Sequence, residues 1–520
     1  MNIQEFLVIC FCLQGGYHAH NILVFLPTKF WSHYMQVEPI FHALALRGHN
    51  MTVVSPFPPK VEIPNYRHIQ LKADQFFSQL PNRNFMELAQ NTPHALISVK
   101  TAWKDIADLE IPHILESAVF SDLVRGDSEF DLIFTELFFA QEALVVLGHI
   151  FKAPVVTYAS FGYRPDILRY VGAPNAVAYL PYKELDYAGP MNLPQRLENA
   201  LVQFGHMLYN EYWYYPQHDA LLAKYVPGQL PRITDMLRNV SLHFLTADTA
   251  LDGAKLYPPN VVEISGIHFK DPAPLDKELQ NIMDRAKNGV IYFSFGSILQ
   301  ASFFRREDVR TFLSVFNELD QTVLWKSDLN TSDLDMPTNV HLRDWFDQSS
   351  VLAHPSCVLF LTHGGLSSMM EAIRHAVPVI GMPFFSDQII NTANAENFGY
   401  GLRLAYKNLT QKSLRWAVST VLADHRFKKN IERASKVFTD KPKSSLDTAI
   451  YWIEYVIRHK GAHHLKPVAV HMSWYQLFSI DVITVYSAVF IISLYLIVKL
   501  VSFFVKKFFD KKKYLKDKTI

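Results

Sequence analysis

The sequence predicts an α/β chain: two Rossmann-type parallel-sheet domains followed by one transmembrane helix. Short apolar runs alternate with helical patterns in both halves, a Pro- and charge-containing connector lies near residue 270, and an uncharged C-terminal stretch is flanked by lysines. At 520 residues the chain is too long for one core, and two domains of ordinary size fit it. Hydrophobic residues make up 49% and aromatics 13%, which excludes a disordered chain and leaves apolar surface for a ligand or a membrane. A net charge of +1 gives the body no bulk attraction to nucleic acid.

Residues 1–19 hold an apolar run, 6–13, and then small residues, the pattern of a secretory signal, although Glu5 and no Lys or Arg precede the run. Residues 20–26 read as a strand, 40–46 as a helix ending at Gly48, and 51–55 as the next strand. Strands 131–135 and 153–158 continue the alternation, with a helix over 139–151 between them. Residues 163–233 are rich in Tyr, Pro and Leu and lack strand rhythm, so helices and loops shaping an apolar pocket are expected there. Strands return at 241–246 and 261–264 before the connector 268–275. The second run reads as strands 289–297, 322–326, 358–362 and 377–381, and a helix over 446–458 is expected to lead towards the membrane. The expected boundaries are 1–19 signal, 20–265 first Rossmann-type domain, 266–280 linker, 281–445 second Rossmann-type domain, 446–478 C-terminal helices, 479–505 transmembrane helix and 506–520 basic tail.

Residues 482–498 carry no charge, and with Lys499 snorkelling the apolar stretch reaches Val505, enough to span a bilayer core at about 1.5 Å per residue. Lys506, Lys507, Lys511, Lys512, Lys513, Lys516 and Lys518 come next, which puts the tail in the cytosol and the body in the lumen. Lys516 and Lys518 are spaced like a dilysine retrieval signal, so an endoplasmic reticulum membrane location is expected. Cys10 and Cys12 fall in the signal, leaving Cys357 alone, which excludes an internal disulfide or a cysteine metal site in the remainder. Asn50, Asn239, Asn330 and Asn408 begin glycosylation sequons.

The chemistry concentrates between Trp345 and Gln388. A buried strand ends at Thr362, His363-Gly364-Gly365 makes a tight turn, and a helix comes next whose first N–H groups and positive dipole end suit a diphosphate. Ser367 and Ser368 add hydroxyl donors, and Glu371, one turn on, can reach a ribose diol. Trp345 offers a flat ring for a base and Gln348 an amide for its ribose. Asp387 and Gln388 come after a strand, near the carboxyl edge of the sheet, and suit sugar hydroxyls. These are the parts needed to hold a nucleotide sugar.

In order and spacing this stretch resembles the donor signature of the membrane-bound animal UDP-glycosyltransferases. Residues 44–56, 266–279, 289–297, 451–464 and 474–476 extend the likeness over nearly the whole chain. The resemblance implies a GT-B fold of two facing Rossmann domains and inverting sugar transfer from UDP. Carried to matching positions, it makes Trp345 the uracil platform, Gln348 and Glu371 ribose ligands, His363 and Ser368 phosphate ligands, and Asp387 and Gln388 sugar ligands. Gly365 and Ser367 lie in the phosphate turn, and Ser297 lies on a glycine loop facing the donor. Three departures stand out: Asp347 where the motif has proline, Ser367 where Asn is common, and Met369-Met370 in place of more polar residues. Asp347 turned inwards would repel UDP.

His33 matches the family's catalytic histidine, the general base for the acceptor hydroxyl. If Ser32 caps a helix, His33 sits at its positive end, while Pro39 leaves open whether that helix kinks or starts later. Glu136 stands where the family has the Asp that orients the histidine, with Glu142 or a water as the alternative. The expected function is transfer of a hexosyl group, glucose first, from a UDP-sugar to hydroxyls of small lipophilic acceptors. The alternatives are a glucuronate-specific transferase and a catalytically impaired UDP-sugar-binding or scaffold protein. Donor, acceptor and a singly spanned membrane are the expected partners; no cofactor beyond the UDP-sugar co-substrate and no metal are expected, since no Asp-x-Asp pair ends a donor-half strand. Homo-oligomerisation stays open.

Overall fold

The computed structural model describes residues 18–71, 95, 110–138, 140–173, 176–296, 299 and 303–517. The signal run with Cys10 and Cys12, Ser297 and Lys518 lie outside the described residues. The chain forms two compact units, Met1–Lys466 and Pro467–Ile520.

The first unit contains two all-parallel sheets. One has seven strands: β1 (Asn21–Phe25), β2 (Asn50–Ser55), β3 (Tyr66–Gln70), β4 (Leu132–Glu136), β5 (Val155–Ala159), β6 (Leu242–Leu245) and β7 (Val261–Glu263), in spatial order β3-β2-β1-β4-β5-β6-β7. The other has six: β8 (Val290–Ser294), β9 (Thr322–Lys326), β10 (Val340–Arg343), β11 (Cys357–Thr362), β12 (Val379–Gly381) and β13 (Gly401–Arg403), in order β10-β9-β8-β11-β12-β13. The inner strands are mostly apolar because both sheet faces are covered. Leu23 and Phe25 of β1 join one core layer while Ile22 and Val24 join the opposite one. Ile291 and Phe293 of β8 are separated in the same way from Val290 and Tyr292.

In each sheet the strand order reverses beside the first strand, at β1/β4 and at β8/β11. In open parallel sheets the carboxyl ends of the strands at such a reversal form the crevice in which ligands bind. Helix α1 (Trp31–Leu46), which comes after β1, and Glu136 at the end of β4 line the first crevice. The turn after β11 lines the second.

Between β5 and β6 the described residues form helices and no strand, the longest being α2 (Leu193–Tyr209), started by Asn192 and Gln195 in a reciprocal cap. The expected helix over 139–151 is instead a 3-10 turn, Gln141–Val145, running into a short helix, Val146–Ile150.

Helix α6 (Ser445–Arg458) forms where a helix over 446–458 was expected. It packs against the first sheet's layer beside α1, burying Ile450, Ile453, Val456 and Ile457. Each such side chain contributes roughly 1.5–3 kcal/mol. Glu454 on α6 pairs with Arg47 at 3.1 Å.

The second unit contains a single long helix, α7 (Ile480–Asp517). Within Ile480–Lys512 an 18-residue window reaches a mean hydropathy of 2.5 and has no buried residues, so by length and composition this segment is a membrane-span candidate.

Candidate functional site

His33 sits in the first turn of α1 and is buried. Ser32 does not cap this helix, contrary to expectation. Phe30 occupies the cap position in extended backbone (φ −95°, ψ 94°), and its ring stacks on the His33 ring at 5.0 Å. That packing starts the helix one residue before Ser32, whose carbonyl accepts from Gln36 Nε2 at 2.8 Å. The helix then runs through Pro39 without ending.

The strand-end carboxylate reaches the imidazole. His33 Nδ1 lies 2.8 Å from Glu136 Oε1, and both residues are buried. A carboxylate accepts only, so Nδ1 carries the proton and Nε2 of the neutral ring keeps a lone pair. Ser160, the residue after β5, donates to Glu136 Oε1 at 2.7 Å and stands 3.0 Å from His33 Nδ1. Gln141 Nε2 lies 3.3 Å from Glu136 Oε2, and Tyr158 donates to the His33 carbonyl at 3.0 Å. Glu142 is engaged elsewhere, 3.7 Å from Arg164. Phe138 and Phe161 wall the imidazole at 5.4 and 4.7 Å, with Lys183 over both rings.

On the donor side, β11 ends at Thr362 and the turn leads into helix α4 (Leu366–Arg374). Gly364 takes φ +85°, a conformation that favours glycine. Gly365 is needed for a different reason: a Cβ there would lie 2.5 Å from His363 Nε2. Burial, aided by the charge of Lys326, pushes the His363 imidazole down to about 4, so at neutral pH it is an uncharged hydrogen-bonding group. Lys326 also donates to the Gly296 carbonyl at 2.7 Å and lies 4.7 Å from the Trp345 ring centroid. Trp345 is 68% exposed, so a planar ligand can reach it with Lys326 behind.

Gln348 begins helix α3 (Gln348–Ala353) and donates to Ser368 at 3.2 Å and to Glu371. One amide thus joins three of the residues assigned to the nucleotide. Burial pushes the Glu371 carboxyl up to about 7. Asp347 is not the inward charge envisaged: it caps α3, its Oδ1 accepting from Ser350 N at 3.3 Å. Asp387 starts helix α5 (Asp387–Asn397), and its Oδ2 accepts from Leu366 N at 3.2 Å and Asn391 Nδ2 at 2.8 Å, tying α5 to the start of α4. Burial pushes Asp387 up to about 6, against the opposing charge of Lys183. Gln388 uses its carbonyl within its own loop, accepting from Phe384 N at 2.9 Å and Phe385 N at 3.3 Å, so its amide N–H groups are the part suited to a ligand. Ser367, half-buried, meets the first half of the chain: Gln36 Nε2 lies 3.4 Å from its hydroxyl.

A family model described as UDP-glucoronosyl and UDP-glucosyl transferase matches residues 21–515. The chain belongs to this family. As a member it is a UDP-glycosyltransferase. Among similar proteins, UDP-glucosyltransferase 2 of Dactylopius coccus is 34% identical over 477 residues, covering 91% of this chain and 90% of that protein. Human UDP-glucuronosyltransferase 2B7 is 28% identical over 496 residues, covering 91% of each. Of solved structures, the calicheamicin glycosyltransferase CalG4 aligns with a TM-score of 0.58 at 19% identity, over 85% of this chain and 99% of that one. A UDP-glucose: anthocyanidin 3-O-glucosyltransferase in complex with UDP aligns at 0.56 and 16%, over 85% of this chain and 100% of that one. These likenesses show the GT-B fold.

Within this UDP-glycosyltransferase, Ser160, Gln141, Gln36 and Lys326 escaped the sequence reading. Each is a single polar residue with no motif around it, and only the meeting of strand ends at the two crevices brings it to the site.

Proposed function

We propose that the enzyme transfers a hexosyl group, glucose first, from a UDP-sugar to a hydroxyl of a small lipophilic acceptor, with inversion at the anomeric carbon. The observation that carries this reading is the buried His33–Glu136 pair at 2.8 Å on a helix whose next turn reaches Ser367 of the phosphate turn at 3.4 Å. The acceptor hydroxyl gives its proton to His33 Nε2, its oxygen bonds to the sugar's anomeric carbon, and the bond from that carbon to the UDP oxygen breaks. Glu136 stabilises the imidazolium as it forms.

Trp345 stacks the uracil, and Gln348 and Glu371 take the ribose. The start of α4, with Gly365, Ser367, Ser368 and neutral His363, receives the diphosphate as charge builds on it. Asp387 and the Gln388 amide take the sugar. The apolar rings Phe138 and Phe161 beside His33 favour a lipophilic acceptor. The apolar segment of α7 serves as a single-span anchor, and its lysine-rich flank supports a lumenal catalytic body.

Incubating the detergent-solubilised full-length chain with UDP-glucose, UDP-glucuronate and a panel of phenols tests this reading by mass spectrometry. A phenyl hexoside of inverted configuration is expected from UDP-glucose. Absence of any glycoside with every donor, in protein that binds UDP, would make it a binding protein.

A further inference from the structure

Gln36 lies one turn beyond His33 on α1 and is 5% exposed. Its Nε2 serves two acceptors, the Ser32 carbonyl at 2.8 Å and the Ser367 hydroxyl at 3.4 Å. Its Oε1 is buried and has no hydrogen-bond partner. The orientation of the amide is fixed chemically: flipping it would set its oxygen against the Ser32 carbonyl, acceptor facing acceptor. A buried amide oxygen without a partner costs roughly 1–3 kcal/mol, so a ligand that fills it gains by doing so.

The position of that oxygen narrows the ligand. The amide that carries it comes from the helical turn after His33, and its nitrogen meets Ser367, the second residue of α4. An amide oxygen cannot accept from a phosphate oxygen, because neither carries a proton. It suits a hydroxyl. The attacking hydroxyl of the acceptor commits its proton to His33, which leaves the hydroxyls of the sugar being transferred.

We propose that Gln36 Oε1 accepts a hydrogen bond from a hydroxyl of the donor hexose, so that the base-bearing helix itself reads the sugar. This rests on the donor site proposed above. One helical turn would then carry both the proton acceptor and a sugar contact, and the presence of the hexose would set α1 against the anomeric carbon.

Calorimetry on the full-length chain in detergent, without acceptor, tests this with UDP and UDP-glucose as separate titrants. Gln36→Met removes the amide at similar volume, and Gln36→Asn withdraws it by one methylene. Both are expected to weaken UDP-glucose roughly three- to tenfold more than UDP, the loss of one hydrogen bond. Retained UDP binding also reports an intact fold. Equal losses for UDP and UDP-glucose, or no loss for either, overturn the proposal. A wild-type chain that fails to bind UDP instead overturns the donor site and, with it, this inference.

Discussion

Glu136 stands where the family resemblance implies an Asp, and its contribution can be worked from the geometry. With Oε1 2.8 Å from His33 Nδ1, the carboxylate and imidazolium charge centres stand about 4 Å apart. At an effective dielectric near 20 that is an attraction of about 4 kcal/mol, gained only when the imidazole takes the acceptor proton. Glu136→Gln removes it, and also sets an amide N–H group of residue 136 against Gln141 Nε2 or Ser160. The expected loss in kcat is about a thousandfold. Glu136→Asp keeps the charge but retreats by about 1.5 Å, one carbon–carbon bond. The Coulomb attraction then falls by about 1 kcal/mol and a charged hydrogen bond worth about 1.5–3 kcal/mol is lengthened, so a thirty- to two-hundredfold loss is expected, roughly. The assay is UDP release at saturating UDP-glucose and phenol, with UDP affinity measured separately and expected to be unchanged. Glu136→Gln retaining more than about a tenth of wild-type kcat would refute the reasoning. So would an aspartate variant that outperforms wild type, since it would mean the longer side chain misplaces the imidazole.

Ser160→Ala removes one of the bonds that hold Glu136 Oε1 and is expected to lower kcat by about tenfold with UDP affinity intact; an equal fall in UDP binding would make Ser160 merely structural. Gly365→Ala places a Cβ 2.5 Å from His363 Nε2, so the ring must move. UDP affinity should drop at least tenfold, about 1.4 kcal/mol, and calorimetry showing no drop would place the phosphates elsewhere. The Glu371 carboxyl, raised to about 7 by burial, is protonated at lower pH and loses an acceptor for the ribose diol. UDP affinity should therefore rise between pH 5.5 and 8 beyond the trend shown by Glu371→Gln, which controls for titration of UDP itself. Parallel pH trends in the two proteins would remove Glu371 from the ribose site. The same raised carboxyl contributes stability only while protonated, and that contribution is lost as pH rises through about 7. Glu371→Gln should accordingly raise Tm more at pH 8 than at pH 5.

The buried strands were legible because coverage of both sheet faces demands continuous apolar runs, as in β4 and β8. The strands that escaped the reading, β3, β10 and β13, are all sheet edges. Tyr66–Gln70 and Val340–Arg343 mix charged or polar residues into short segments because one side of an edge strand faces solvent. At the site, His33, Glu136 and the run from Trp345 to Gln388 were legible as motif positions. The side chains that support them were not. Ser160 reaches Glu136 only because β5 neighbours β4, and Gln36 reaches Ser367 only because the two halves pack, and no local pattern encodes either meeting. The Ser32 cap failed for a physical reason as well: aromatic stacking of Phe30 on His33 starts the helix before the serine.

At the centre of the proposed chemistry, His33 takes the acceptor's proton while a separate set of residues holds UDP. One comparison tests both parts: UDP affinity and UDP release from UDP-glucose with a phenol, measured on wild type and His33→Ala. The variant is expected to bind UDP within about threefold of wild type while turnover falls by roughly 10²–10⁴-fold. A variant that keeps more than about a tenth of wild-type turnover, or that loses UDP binding along with it, would contradict this division of roles.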